Sequence, residues 1–141
     1  MSEHEVTVTR TIHAGSDRVW TTLTDSKLVT QWMMGAAVNS TWQAGAQIRW
    51  SGEHEGKRYE DKGEVLEVDH GKRLVHTHFS PLSGGEDKPE NYHRLTWRLD
   101  ADGDTTKLTL VQSGAKSAKE AEQFAQSWRA MLDQLRDVAE D

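Results

Sequence analysis

"SAKEAEQFAQSWRAMLDQLRD", residues 117–137, carries a helical period along its whole length. Ser117 followed three positions later by Glu120 is a capping box, and Ala121, Phe124, Trp128, Met131, Leu132 and Leu135 then form one broad apolar stripe over about five turns. Lys119, Glu122, Arg129, Asp133 and Arg136 take the other face. A helix of this length with a single apolar face needs a comparably large apolar surface to pack on.

The preceding segment supplies one. From Val38 to Gln112 the pattern is an antiparallel meander of roughly five or six strands. "QIRW" places Ile48 and Trp50 on one face, and the glycine-bearing "SGEHEGKR" reads as a hairpin loop. "GEVLEV" and "RLVHTHF" flank "DHGK", where Gly71 eases a turn. "SPLSGGEDKPE" has too little apolar content to be buried and reads as an exposed loop. "YHRLTWRL" sets Leu95, Trp97 and Leu99 on one face, "DADGDT" reverses the chain, and "KLTLVQ" aligns Leu108 and Leu110.

Before the meander, "VTVTRTI" alternates Val6, Val8 and Ile12 with threonines, the mark of a half-buried strand. Ser16 or Asp17 caps a helix bearing Val19, Trp20 and Leu23, and Asp25 caps a second, shorter one bearing Leu28, Val29, Trp32 and Met33, which Gly35 ends. The order strand, two short helices, meander, long helix implies an α+β fold. In it one long helix covers a curved sheet and leaves space at one end, beside the short helices.

Composition narrows the function. The 141 residues suit one domain over 1–141, with 35% hydrophobic and 28% charged residues and only 2 prolines, a globular balance. The net charge of −6, with basic side chains scattered, disfavours nucleic acid and anionic membranes as partners. No apolar run approaches the ~20 residues of a bilayer span, and "MSEHEVTVTR" lacks the order of a signal peptide, so a cytoplasmic location is expected. With 0 cysteines there are no thiolate sites or disulfides. The 6 tryptophans against 2 Tyr and 2 Phe make tryptophan the residue to follow.

Four stretches, "TRTIHAGSDRVWTTLTDSKLVTQWM", "GEVLEVDHGKRLVHTHF", "TTKLTLVQSG" and "SWRAMLDQL", resemble the START-like, helix-grip SRPBCC proteins, and among them the branch homologous to the activator of heat shock protein 90 ATPase. The resemblance runs from about residue 5 to residue 138. It departs from the family pattern at Met33, at Ala14-Gly15 and at Ser127. It implies the helix-grip (START-like, Bet v-like) fold, with an internal cavity bordered by the short helices.

Within that frame the candidate ligand-binding residues are Trp32, Met33 and Met34 at the cavity mouth, Trp50 and Trp97 from the sheet, and Phe124, Trp128 and Met131 from the long helix. Residue type alone makes "WMM" a core plug; the resemblance makes one of the two methionines a wall as well. Phe124 and Trp128 read as core first and wall second. Polar candidates are Gln112, which follows Leu108 and Leu110 on one face, and His78 and His93 as ligand-orienting groups. His76, His78 and His93 could together hold zinc, but spacing fixes neither their geometry nor the face they occupy, and ligand orientation is the preferred reading. Arg10, on the face of Val6, Val8 and Ile12, reads as structural.

No P-loop, dinucleotide glycine motif or nucleophile elbow occurs, so no catalytic residue, metal or cofactor is assigned. The leading expectation is non-enzymatic binding of a small apolar or aromatic ligand by a monomer or weak dimer. Second, implied by the resemblance, is a co-chaperone-like contact with heat shock protein 90. Third is a polyketide cyclase-like, aromatase-like or hydrolase-like enzyme using His78, His93 or an inward carboxylate.

Overall fold

A computed structural model describes residues 4–81 and 85–141. Its elements are β1 (His4–Ile12), α1 (Ser16–Thr24), α2 (Ser26–Trp32), β2 (Ala37–Asn39), β3 (Gln47–His54), β4 (Lys57–Asp69), β5 (Arg73–His78), β6 (His93–Asp102), β7 (Thr105–Ala115) and α3 (Ala118–Glu140). The strands form one curved antiparallel sheet in the order β1-β7-β6-β5-β4-β3-β2. Strand β1 therefore pairs with β7 at one edge, and β2 to β7 form the meander.

Period-two alternation decides the inner face. Val6 and Val8, Ile48 and Trp50, Leu95, Trp97 and Leu99, and Leu108 and Leu110 are all buried there. Helix α3 lies over this face but not centrally: it packs chiefly against β1 and α2, with lesser contact to α1 and β7. Leu132 and Leu135 are fully buried, whereas Phe124, Trp128 and Met131 are half-buried. The upstream half of the stripe thus faces space between helix and sheet. Arg10 meets the helix from β1, its Nε donating to Asp133 Oδ1 at 2.7 Å, which ties the sheet edge to α3.

Several local expectations change. Helix α1 has Gly15 at its N-cap and no side-chain cap; Ser16 and Asp17 already lie inside it. Asp25 does cap α2, its Oδ1 accepting from Lys27 N at 2.9 Å. The capping box of α3 is skewed, for Ser117 Oγ accepts from Glu120 N while the Glu120 carboxylate reaches one residue further back, to Lys116 N. "SGEHEGKR" is mostly strand: β3 and β4 meet through Glu55-Gly56 alone, both at positive φ (52° and 79°), as a tight twisted hairpin requires. The expected exposed loop after β5 holds a short 3-10 turn at Pro89–Asn91, and its residues 82–84 lie outside the described residues.

One glycine shapes the sheet. On β4 the inward series is Tyr59, Asp61, Gly63, Val65, and a Cβ on Gly63 would stand 1.9 Å from Thr77 O of β5. Only a missing side chain allows β5 to approach this closely, and the ladder continues past it through paired bonds between Lys62 and Phe79.

Candidate functional site

The space between sheet and helix is a chamber of about 250 Å³. Trp32 closes its floor. The ring is 2% exposed, donates Nε1–H to Thr22 O at 2.8 Å and meets Trp97 edge-on at 6.3 Å between centroids. Met33, half-buried, forms wall, and Met34, 80% exposed, forms rim. Met34 (φ 52°) and Gly35 (φ 84°) both adopt the left-handed conformation, so the helix stop expected of Gly35 begins one residue earlier. An L-residue holds that conformation at a cost of order 1 kcal/mol. Here it turns a methionine side chain out over the chamber mouth. The "WMM" triplet is therefore plug, wall and rim in turn.

Eight of the eleven expected site residues line this chamber: Trp32, Met33, Met34, Trp50, His78, Trp97, Trp128 and Met131. The other three, His93, Gln112 and Phe124, line an adjoining pocket of about 230 Å³. His78, Leu95, Trp128 and Met131 are common to both and form the partition. The partition is pinned by Trp128, whose Nε1–H donates to Gln112 Oε1 at 2.5 Å. Gln112 is 6% exposed, and its amide oxygen is satisfied by an indole. Phe124 rests edge-on against His93 at 5.2 Å.

The histidines occupy the inner face. His76 is buried between Trp50 and Trp97 and fully bonded: Nδ1–H donates to Thr77 O at 2.9 Å, and Nε2 accepts from Trp97 Nε1–H at 3.0 Å. A carbonyl can only accept and an indole N–H can only donate, so the two neighbours fix the neutral Nδ1–H tautomer. Burial lowers its pKa to about 4, and neighbouring His78 adds to the effect against the opposing bond to Thr77. His78, paired in register with His93, directs Nε2–H to Asp61 Oδ2 at 2.9 Å. His93 places Nδ1–H on Ser113 O at 3.1 Å.

This arrangement replaces the three-imidazole zinc reading, since a ligand needs a free lone pair and His76 has neither nitrogen available. Among the described residues no group of three or more His, Asp or Glu is disposed around a metal position. What stands instead is a polar end in an otherwise apolar chamber, made by Asp61, His78 and Tyr59. Tyr59 lies across Gly52 of the neighbouring strand, where a Cβ would come within 2.7 Å of its hydroxyl. Burial first, and the Asp61 charge second, push its phenol pKa up, so it stays a neutral O–H at physiological pH. Asp61 accepts from His78 through Oδ2, while its Oδ1 is buried without a hydrogen-bond partner.

Asp61, Tyr59, Trp42 and Glu53 were not foreseen from the sequence. In "KRYEDKGEV" charged neighbours disguise the inward series Tyr59, Asp61, Gly63, Val65, although its period of two is there to be counted. Trp42 sits in a connection with no periodicity at all, yet its Nε1–H donates to Thr24 O at 3.0 Å and its ring packs against the core.

The model of the family described as activator of Hsp90 ATPase homolog 1-like protein matches residues 13–140. Among solved structures, ChR145 from Cytophaga hutchinsonii is 36% identical, with 96% of this chain and 93% of that one covered and a TM-score of 0.85. MLL2253 from Mesorhizobium loti (21% identical, 95% of each chain, TM-score 0.76) and the Aha1 dimer from Colwellia psychrerythraea (15% identical, 96% of each chain, TM-score 0.75) share the fold. No curated protein matches significantly. No helix among the described residues is long and apolar enough to cross a membrane.

Proposed function

The chain belongs to the activator of Hsp90 ATPase homolog 1-like family, and on that premise we propose that it binds a small apolar or aromatic molecule in the chamber between sheet and α3. The observation that carries this reading is the chamber itself, about 250 Å³ walled largely by tryptophan and methionine with a few polar groups at one end. Ligand sites have this character, a mostly apolar concavity with sparse, placed polar atoms. The volume lies just below the ~300–1,000 Å³ usual for drug-sized ligands, which points to a molecule of one or two rings. Met33 and Met131 suit such a role because an unbranched thioether repacks around different shapes.

The test is intrinsic tryptophan fluorescence during titration with neutral apolar compounds, naphthalene and butylbenzene first, on the wild-type protein and on Met131→Trp. The expected result is saturable quenching in the wild type that is lost in the variant, whose larger side chain fills the chamber while circular dichroism stays unchanged. Linear, non-saturating change with every compound overturns the reading. A second reading, contact with a heat shock protein 90 chaperone, is favoured by the family description. Stimulation of the chaperone's ATPase by added protein would support it.

A further inference from the structure

The groups that line the chamber are unbalanced in a way that specifies the ligand's polar end. Five of the six tryptophans line it, but four have already spent their N–H groups on protein acceptors: Trp32 on Thr22 O, Trp42 on Thr24 O, Trp97 on His76 and Trp128 on Gln112. These rings offer a ligand carbon faces and edges instead of donors. Among the described residues no lysine or arginine lines the chamber, whereas two carboxylates do, Asp61 inside and Glu53 at the exposed mouth. Asp61 holds an acceptor oxygen that no protein donor reaches, and a buried unpaired acceptor is costly until a donor arrives. The carboxylate is itself part of the lining, and its last torsion is broad and not confined to one rotamer.

From this we infer that the chamber selects a protonated amine carried on an aromatic or aliphatic body, with the ammonium bonded to Asp61 and set against indole faces. The inference rests on the binding reading above and deepens it. An ammonium meets the open carboxylate oxygen by a charge-assisted bond and is attracted by the negative faces of the surrounding rings. A carboxylate ligand of the same shape meets Asp61 with like charge, and the His78 Nε2–H at that end is already given to Asp61, which leaves the Tyr59 O–H and the Trp50 N–H as donors among the described residues there. The sign of the site therefore separates amines from acids, including fatty acids, although both carry equally apolar bodies.

The experiment is isothermal titration calorimetry at pH 8 with 4-phenylbutylamine, 4-phenylbutanol and 4-phenylbutanoate, which share one body, and with butylbenzene. The expected order is amine, then alcohol, then acid, with the amine about tenfold tighter than the alcohol, a factor in line with a hydrogen bond to a charged group. In Asp61→Asn the amine loses about tenfold and the alcohol changes by less than about twofold. This order in the wild type needs no variant, so a misfolded Asp61→Asn would leave it standing. An acid that binds as tightly as the amine, or an amine-to-alcohol ratio unmoved by Asp61→Asn, overturns charge selection while leaving an apolar pocket in place. Absence of binding by all four compounds overturns the pocket and the inference together.

Discussion

His76 makes the protein's stability depend on pH in a way that can be worked out in advance. Its pKa falls from an ordinary 6.5 to about 4 on folding, first because burial removes the water that would solvate a cation. Protonation would also set an Nε2–H against the Trp97 N–H that now donates to it. The unfolded chain thus binds this proton more readily than the folded one. The contribution is fully present above pH 6.5, is lost as pH falls through the interval down to about 4, and is flat below that. At 1.36 kcal/mol per pKa unit the full loss is about 3 kcal/mol. Carboxylates titrate in the same range, so the measurement is a difference: urea unfolding of the wild type and of His76→Gln at intervals from pH 7.5 to pH 4. The wild-type advantage over the variant should shrink by about 3 kcal/mol across that span. A difference that stays constant with pH would mean that His76 is solvated or protonated in the folded protein, and would refute the tautomer derived from its two neighbours.

Three further outcomes follow from packing. Trp128→Phe strands the buried Gln112 oxygen and should lower stability by about 1–3 kcal/mol in thermal unfolding. Leu132→Ala, at a position with no exposure, should cost about 3 kcal/mol through lost burial and a residual cavity, measured by urea titration. Gly63→Ala forces a methyl into Thr77 O and should cost about 3 kcal/mol, the upper end of overpacking, and broaden the amide signals of β4 and β5 by NMR; a variant of wild-type stability would contradict the close approach of the two strands.

The fold was legible because two periods dominate the chain. The stripe on residues 117–137 and the alternation in "YHRLTWRL" and "KLTLVQ" each identify a face without help from neighbours; the sheet face is buried as counted, and of the helical stripe Leu132 and Leu135 are buried while Ala121, Phe124, Trp128 and Met131 are half-buried. The histidines were not legible in this way. Val75 and Phe79 are as well covered as Leu74 and His76, so both faces of β5 are buried and parity carries no information there. Most of the apolar wall could be named because tryptophan and methionine stand out in any register. Asp61 could not, since a carboxylate amid "YEDK" looks like solvated surface until Gly63 reveals which side of the strand turns inward. The split of Phe124, His93 and Gln112 into a second pocket depends on where one indole ring falls, and no sequence pattern encodes that.

The claim that the chamber is a ligand site is tested most directly through methionine methyl groups. Three of the four methionines, Met33, Met34 and Met131, line it from rim to partition. A titration with naphthalene, followed by 13C-methyl NMR on methionine-labelled protein, should shift those three signals along saturating curves with one common Kd. Three stationary signals, or three that drift without saturation, would contradict the account.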